Sequence, residues 1–304
     1  MSHWTPATIP DQTGRTALIT GANSGVGLET ARVLAGRGTR VLLAGRSGGR
    51  LAEAADAIRV TAPSAVLETV VVDLSNLESV REAAARVAQH ETLDLLINNA
   101  GVMNLPERTT TADGFETTFG TNHLGHFALD AQVWPAVLRS RSPRVVTVSA
   151  IASRWPSGKL RDLQSEVRYR PMGAYAKSKR ANVVYALELD RRAGAAGRDV
   201  TSVVVHPGAA MTGLQRYSGN RFAGVVTSLA ERLLMGSPEG ASWPSLYAAT
   251  SEDADSGTFY GPAGRDQTAG APTPAHLPPG AADPDLGARL WAESERLTGV
   301  TFSV

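Results

Sequence analysis

The chain of 304 residues contains no cysteine, and this absence excludes a disulfide framework, a thiolate-ligated zinc site and a cysteine nucleophile. Its formal net charge is only +1, so it has no overall field that would attract nucleic acid or an anionic membrane. No apolar run approaches the roughly 18 residues of a membrane span, and the first residues lack the basic and apolar regions of a signal peptide. We therefore expect a soluble cytoplasmic protein that has no membrane span and no nucleic-acid partner.

The composition carries no bias toward a disordered or fibrous chain, since 42% of the residues are hydrophobic and 19% are charged. At this length the chain can bury a sizeable core. Lysine is scarce: Lys159, Lys177 and Lys179 are the only three, against 27 arginines. Because arginine supplies almost all of the positive charge, each lysine calls for a specific explanation.

Motifs for metal binding and for hydrolysis are also missing. His123 and His126 occur without an H-E-x-x-H pattern or a nearby carboxylate cluster, which favours packing or hydrogen-bonding roles and no metal site. Ser149 and His206 occur without the G-x-S-x-G turn of a hydrolase. We expect His206 to be structural.

Short aliphatic runs alternate with longer amphipathic stretches through the first 205 residues. The runs are 16–20, 40–44, 67–72, 93–97, 144–149 and 200–205, and the amphipathic stretches are 25–37, 49–62, 77–89, 114–139 and 173–194. Because the runs are apolar on both faces, they are typical of a parallel sheet that helices cover on both sides. This pattern predicts an α/β fold, a Rossmann-type doubly wound and mostly parallel sheet of about seven strands, with the last strand near 257–260.

The alternation ends after residue 205. We expect an irregular insertion at 207–245, with a helix or two near 221–235, over the carboxyl edge of the sheet. Residues 261–304 begin with a proline- and glycine-rich stretch, which predicts an extended surface strap followed by a short helix at 284–297. Neither piece is long enough for a second domain, so the chain is predicted to be a single domain over residues 1–304.

A glycine-rich turn directly follows the first predicted strand. It reads Gly21-Ala22-Asn23-Ser24-Gly25-Val26-Gly27 and opens a predicted helix. Such a turn lets backbone amides approach a phosphate, and the helix N-terminus adds donors and partial positive charge. Gly21 would form the tight turn, Gly25 would permit close approach, and Gly27 would let the helix pack on the strand. The strand–turn–helix context predicts dinucleotide binding by this segment, including Asn23, Ser24 and Val26.

The end of the second strand indicates which dinucleotide binds. A site for NAD(H) usually places Asp or Glu there, but this chain has Arg46 and Ser47. A guanidinium group suits a 2′-phosphate, so NADP(H) is favoured over NAD(H), with a solvated loop arginine as the alternative. Asp73, followed by Leu74, ends the third strand and is predicted either to accept from the adenine amino group or to cap the next helix.

Several polar residues follow the carboxyl ends of the later strands, where open α/β sheets bind ligands. Asn99, Ala100 and Gly101 follow the fourth strand, and Ser149 ends the fifth. Tyr175 and Lys179 lie one helical turn apart on the same face, whereas Lys177 points elsewhere. Six tyrosines and three lysines in 304 residues give about 0.06 such pairs by chance, so the spacing indicates a function.

Reduction of a carbonyl explains why these residue types occur together. A carbonyl that accepts hydride becomes an alkoxide and needs a proton donor, and a phenol has a pKa of about 10. A nearby ammonium is expected to lower the pKa of Tyr175, and Ser149 is expected to donate a hydrogen bond to the carbonyl oxygen. The alternative is a solvated Tyr175–Lys179 pair on an exposed helix.

Taken together, these motifs resemble the short-chain dehydrogenase/reductase family over about residues 14–260. The matching elements are T-G-x-x-x-G-x-G at 20–27, N-N-A-G at 98–101, a serine at 149 and Y-x-x-x-K at 175–179. Segments 20–28, 122–127 and 175–182 are most similar to the retinol-dehydrogenase-like branch. The resemblance implies homo-oligomer surfaces on the helices at 114–139 and 173–194, which any sheet-covering helices would also offer.

The resemblance also implies roles for individual residues. Tyr175 would be the general acid/base, Ser149 would orient the substrate, and Lys179 would bind the nicotinamide ribose. Asn122 matches a further catalytic position that holds a water in a proton relay. The segment that contacts nicotinamide is matched by Pro207, Gly208 and Thr212.

We therefore expect an NADP(H)-dependent oxidoreductase that interconverts a carbonyl and an alcohol on a small hydrophobic substrate. A reductase of C=C bonds is an alternative because the same residues could protonate carbon. A non-catalytic NADP(H)-binding sensor or scaffold is another, although the quartet of Asn122, Ser149, Tyr175 and Lys179 argues against it. Five residues are expected either to line an apolar substrate pocket or to pack in the core: Met103, Ile151, Trp155, Tyr217 and Trp243.

Overall fold

The computed structural model describes residues 4–208, 237–264 and 267–304. An eight-stranded sheet forms its centre, in the order β3-β2-β1-β4-β5-β6-β7-β8. The strands are β1 Thr16–Thr20, β2 Arg40–Gly45, β3 Leu67–Val71, β4 Leu95–Asn98, β5 Arg144–Val148, β6 Thr201–Val205, β7 Phe259–Pro262 and β8 Pro272–Pro274. Strands β1 to β7 are parallel. The prediction of a Rossmann-type, doubly wound and mostly parallel sheet is confirmed.

The helices cover both faces of the sheet. They are α1 Gly25–Gly36, α2 Gly48–Thr61, α3 Leu77–Val87, α4 Thr117–Phe119, α5 Gly125–Leu138, α6 Pro171–Ala195, α7 Pro238–Thr250 and α8 Pro284–Thr298. Successive residues of β1 enter different apolar layers: Ala17 and Ile19 pack with α1, α2 and α7, whereas Leu18 packs with α3, α5, α6 and α8. This two-sided burial explains why the strands lack an alternation of polar and apolar residues.

An eighth strand lies in the proline-rich stretch that the sequence predicts to be an extended strap. Strand β8 pairs antiparallel with β7, with Tyr260 opposite Pro274. Proline is tolerated here because an edge strand has one side that makes no ladder hydrogen bonds. The sequence Pro-Thr-Pro has no apolar pattern, so the sequence predicts only seven strands.

The predicted helix at 114–139 is divided in the structure. The single turn α4 is capped by Glu116, whose carboxylate accepts from the N–H groups of Thr118 and Phe119. A π-helical turn, Gly120–Leu124, follows before α5 begins. Such turns widen a helix locally and frequently occur at functional sites. The turn contains Asn122.

Most of the predicted insertion, residues 209–236, lies outside the described residues, and with it the predicted helix at 221–235, Thr212 and Tyr217. The remainder of the insertion includes α7, which packs against α1. Within the described ranges, no helix combines the length and the apolar character that a membrane crossing needs.

Candidate active site

The carboxyl ends of β1, β2, β4 and β5 border a cavity of about 440 Å³. Many of the predicted site residues line it: Gly21, Asn23, Ser24, Gly25, Val26, Gly27, Arg46, Leu74, Asn99, Ala100, Gly101, Met103, Ser149, Tyr175, Lys179, Pro207 and Gly208. Six predicted residues lie outside this lining: Ser47, Asp73, Asn122, Ile151, Trp155 and Trp243. The fold therefore brings the glycine-rich turn and the Tyr175–Lys179 pair to one cavity.

The glycine-rich turn is shaped for close approach. Gly21 and Gly25 have φ angles of 68° and 57°, in the left-handed region that favours glycine. A Cβ atom on Gly27 would stand 2.6 Å from the carbonyl oxygen of Gly21 and would also meet the Asn99 amide. The Ser24 side chain does not cap α1, so the first N–H groups of this helix have no side-chain acceptor. A cradle of this kind fits the pyrophosphate of a dinucleotide.

Hydrogen bonds join this turn to the loop after β4. The Thr20 hydroxyl oxygen accepts from the N–H groups of Asn99 and Ala100, at 2.9 Å each. The Asn99 side-chain amide donates to the Thr20 carbonyl oxygen at 2.7 Å. His126 Nε2 lies 2.8 Å from the Thr20 hydroxyl, and His126 Nδ1 lies 3.1 Å from the Asn122 carbonyl oxygen. The network is satisfied when Nδ1–H donates to Asn122 and Nε2 accepts from Thr20.

Both neighbouring histidines are buried and neutral. Burial lowers the pKa of His126 to about 3 and that of His123 to about 4. His123 Nε2 lies 2.9 Å from the Ser294 hydroxyl on α8. Among the described residues, no group of three or more potential metal-ligating side chains comes together. Through these hydrogen bonds, His126 connects the π turn to the end of β1, and His123 connects it to α8.

At the nucleotide end, two arginines line the cavity, Arg46 and Arg50. Arg50 lies in the first turn of α2, four residues after Arg46, and sequence analysis missed it because it belongs to a predicted helix. Ser47, predicted as a phosphate contact, is the N-cap of α2 and accepts from the Arg50 N–H at 3.4 Å.

Asp73 does not cap α3, so the helix-cap alternative is wrong, and its carboxylate is held by the turn that follows β3. Its Oδ1 atom accepts from the N–H and the hydroxyl of Ser75, at 3.0 and 2.7 Å. The cap of α3 is Asn76, whose side chain accepts from the N–H groups of Glu78 and Ser79. The residues on either side of Asp73, Val72 and Leu74, line the cavity.

Tyr175 and Lys179 lie together on α6 and are only 9% and 3% exposed. The Lys179 ammonium donates to the Val148 carbonyl oxygen at 2.9 Å. The structure differs from the expectation that Lys179 makes the phenol more acidic. Burial raises the pKa of Tyr175 to about 12, and burial lowers the pKa of Lys179 to about 8. At neutral pH the phenol is protonated, and most of the lysine is charged.

Ser149 does not present its hydroxyl as the sequence predicts. The hydroxyl donates to the Lys179 carbonyl oxygen at 2.7 Å and the residue is 1% exposed. The next residue, Ala150, packs against the apolar group that contains Tyr175 and lines the cavity. The methyl group of Ala150 therefore packs with the residues around Tyr175, whereas the Ser149 hydroxyl proton is used within the protein.

Asn122 holds the loop after β4 rather than lining the cavity. Its Oδ1 accepts from the Val102 N–H at 2.7 Å, and its Nδ2 donates to the Val102 carbonyl and the Ser178 hydroxyl, at 2.9 Å each. A Cβ atom on Gly101 would stand 3.1 Å from Asn122 Oδ1 and 3.5 Å from Lys179 Nζ. Asn122 thus fixes the N-N-A-G turn directly over Lys179.

Of the predicted substrate-pocket residues, Met103 lines the cavity. Ile151 lies in a short 3-10 helix, Ile151–Arg154, and Trp155 follows it with 41% of its surface exposed. Trp243 lies on α7, and its indole N–H is buried without a hydrogen-bond partner. Sequence analysis did not single out Val102, Thr121 and Val148, which line the cavity.

His206 is structural, as expected from the sequence. Burial lowers its pKa to about 4, and its Nδ1 accepts from the Gly208 N–H at 3.2 Å. This hydrogen bond fixes the Pro207-Gly208 turn where β6 ends at the cavity.

A parallel sheet with a glycine-rich turn after its first strand, and a buried tyrosine and lysine at the same edge, defines a class of dinucleotide-binding oxidoreductases. The family model described as short chain dehydrogenase matches residues 15–221, and the chain belongs to this family. It is an oxidoreductase, as the sequence resemblance implies.

Relatives of known name support the same branch. The chain is 40% identical over 301 residues to retinol dehydrogenase 13 of Homo sapiens. The match covers 97% of this chain and 86% of the relative. Among solved structures, an uncharacterised protein of Mycobacterium paratuberculosis is 37% identical, with a TM-score of 0.80 and full coverage of both chains. A Beutenbergia cavernae protein described as an NAD(P)-dependent gluconate 5-dehydrogenase, with NADP bound at low occupancy, is 28% identical; the TM-score is 0.64, and the match covers 80% of this chain and 92% of that one.

Proposed function

We propose that this protein is an NADP(H)-dependent oxidoreductase that interconverts a carbonyl and an alcohol on a small hydrophobic substrate. One observation carries the proposal: the buried Tyr175–Lys179 pair and the glycine-rich turn open onto the same cavity. The relative named retinol dehydrogenase supports a hydrophobic alcohol or aldehyde as the substrate.

The residues of the cavity fit NADP(H). The uncapped N-terminus of α1 would bind the pyrophosphate, and the guanidinium groups of Arg46 and Arg50 would hold the 2′-phosphate. No acidic residue follows β2 to bind a free ribose hydroxyl. Pro207 and Gly208 would border the nicotinamide. When bound, NADPH supplies the hydride that reduces the carbonyl carbon and leaves as NADP⁺.

Tyr175 supplies the proton in this proposal. A phenol whose pKa lies near 12 is protonated at neutral pH, and the alkoxide that forms on reduction is a stronger base than a phenolate. The proton therefore moves from Tyr175 to the substrate oxygen, and solvent restores it. The charged Lys179 stabilises the phenolate left behind. The same burial keeps Tyr175 protonated, so the phenolate that alcohol oxidation needs as its base is scarce near pH 7 and reduction is favoured.

The proton donor is tested by NADPH consumption at 340 nm over a panel of aldehydes, ketones and enones. Tyr175→Phe should lower kcat by at least about 100-fold while NADPH affinity stays within a few-fold of the parent, because only the proton transfer is removed. A mutant that matches the parent in rate would show that Tyr175 is not the donor. NADPH consumption with enones that yields no alcohol would favour the C=C reductase instead.

The cofactor preference is tested by quenching of tryptophan fluorescence with NADPH and NADH. Arg46→Gln combined with Arg50→Gln should weaken NADPH binding by about 10- to 100-fold and change NADH binding little, because only NADPH carries the 2′-phosphate. Arg86→Gln, on the exposed face of α3, is the matched control. Tighter binding of NADH than of NADPH by the parent would contradict the assignment.

A further inference from the structure

The hydroxyl of Ser149 is already used within the protein. A serine hydroxyl has one proton, and this one is donated to the Lys179 carbonyl oxygen at 2.7 Å in a fully buried contact. Lys179 in turn donates its ammonium to the carbonyl oxygen of Val148, the last residue of β5, at 2.9 Å. These two hydrogen bonds tie the end of β5 to α6. Turning the hydroxyl toward a substrate would give up a buried hydrogen bond.

The next side chain, that of Ala150, lies in the part of the cavity that contains Tyr175. It packs with Met103 and Met172 against the group of Ala152, Tyr175 and Ala176, and it lines the cavity. Both residues therefore meet α6, Ser149 at the Lys179 carbonyl oxygen and Ala150 at the apolar group that contains Tyr175. A methyl group has no polar hydrogen, so it cannot donate a hydrogen bond to a substrate oxygen.

Three other hydroxyl groups belong to the described lining, those of Thr20, Ser24 and Thr121. Thr20 donates to His126 within the network described above. Ser24 belongs to the phosphate end, at the N-terminus of α1. The Thr121 hydroxyl oxygen has no hydrogen-bond partner among the described residues, but it is buried out of reach of the cavity's solvent. Tyr175 is therefore the one hydroxyl of the described lining that lies beside Ala150.

We infer that Ala150 leaves Tyr175 as the single hydroxyl donor to the substrate oxygen among the described residues, and that the site is consequently selective for activated carbonyls: aldehydes, and ketones beside an electron-withdrawing group. This inference rests on the proposed function. A donor aimed at the oxygen that becomes negative typically contributes about 100- to 1,000-fold in rate. A simple ketone needs that donor most, because its second carbon substituent makes the carbonyl carbon less electrophilic and puts more charge on oxygen in the transition state. An aldehyde tolerates the loss better.

The test compares benzaldehyde with acetophenone, which share the ring and differ in the carbonyl substituent. Both are assayed with NADPH and the full-length chain. Ala150→Ser should raise kcat/KM for acetophenone by about 100-fold and that for benzaldehyde by less, so the preference for the aldehyde falls. Ala150→Cys is the matched control, because it has nearly the same size but a weak donor, and its preference should stay near that of the parent.

Ser149→Ala tests whether the Ser149 hydroxyl acts on the substrate. It should lower the melting temperature, because a buried hydrogen bond is lost, and leave the benzaldehyde-to-acetophenone preference unchanged. The inference is overturned when Ala150→Ser, folded and binding NADPH as the parent does, reduces acetophenone no more than three-fold faster than the parent. It is equally overturned when Ser149→Ala increases the preference ten-fold, because Ser149 would then be the donor.

The proposed function is judged separately. It stands when the parent consumes NADPH with an aldehyde and Tyr175→Phe loses this activity, whatever Ala150→Ser does. A parent that reduces neither substrate counts against the proposed function. Even when the parent reduces neither substrate, the inference about Ala150 is supported only if Ala150→Ser reduces acetophenone.

Discussion

A methyl group on Gly27 has no space at the start of α1. Gly27→Ala would place Cβ 2.6 Å from the Gly21 carbonyl oxygen, so the glycine-rich turn must shift and the phosphate cradle with it. We expect a loss of about 1–3 kcal/mol in the free energy of unfolding and a clearly weaker NADPH affinity. Urea unfolding and fluorescence titration measure the two effects.

Gly36→Ala is the matched control in the same helix, since nothing lies within 4 Å of a Cβ atom there. Alanine has the higher helix propensity, so this variant should be as stable as the parent or more stable by up to about 1 kcal/mol. Equal stability and NADPH affinity in both variants would mean that the turn is less tightly packed than the contacts at Gly27 indicate.

The pKa values of Tyr175 and Lys179 give a signed pH dependence for reduction. Lys179, with its pKa lowered to about 8, is charged below that pH and neutral above it, whereas Tyr175 stays protonated up to about 12. We expect kcat/KM for reduction to be level below pH 7 and to fall as the pH rises through about 8, because the cation that stabilises the phenolate is lost. An alkaline limb centred above pH 10 would mean that the phenol itself is titrating.

At the scale of elements, β4, α5 and α6 share one buried carboxylate. Asp130 on α5 accepts from the Asn98 amide at the end of β4 and from the Tyr185 hydroxyl on α6, at 2.6 Å each. Burial raises the pKa of Asp130 to about 7, and burial together with the Asp130 charge raises that of Tyr185. The Oδ1 atom of Asp130 has no partner among the described residues. Folding therefore favours the protonated form of this carboxyl.

This shift fixes the direction of a stability change with pH. Asp130 in an unfolded chain titrates near 3.8, so between about pH 4 and 7 the folded protein binds more protons and its stability falls as the pH rises. The free energy of unfolding, measured with urea, should be higher at pH 4.5 than at pH 7.5. Asp130→Asn should reduce this difference by about 2–4 kcal/mol, because asparagine does not titrate. An unchanged difference would assign the pH dependence to other groups.

Sequence analysis predicts those elements whose formation depends on residues within one short segment. Strands β1 to β6 follow from apolar runs, and the glycine-rich turn and the Tyr175–Lys179 pair follow from spacing within a single segment. Strand β8 and the π turn cannot be predicted in this way. Strand β8 exists only by pairing with β7, and Asn122 in the π turn is held by Val102, twenty residues earlier. The direction of the Ser149 hydroxyl depends on its hydrogen bond to the Lys179 carbonyl oxygen, thirty residues later in the chain. Spacing alone does not decide that.

At the scale of the whole molecule, the C-terminal helix completes the core beside α6. The Trp291 ring on α8 stacks on Tyr185 at 5.8 Å between centroids and packs against Phe302 at 4.8 Å. The guanidinium carbon of Arg192 lies 4.4 Å from the centre of the Trp291 ring. The predicted strap thus ends in a helix that buries one face against the core. The part of α6 that contacts α8 is covered by its own chain, so this part cannot serve as an oligomer surface.

Trp291→Ala tests how far the fold depends on this helix. Trp291 belongs to the apolar cluster that also contains residues of β1, α3, α5 and α6, so its loss leaves a cavity between layers rather than a local defect. The free energy of unfolding should fall by about 3–5 kcal/mol, measured by urea denaturation, whereas Leu277→Ala on the partly exposed strap should change it by less than about 1 kcal/mol. Because α8 is tied to the π turn through Ser294 and His123, the variant should also weaken NADPH-dependent activity before it unfolds. A loss under 1 kcal/mol in Trp291→Ala would mean that α8 is an appendage, and that the sheet and its other helices are stable without it.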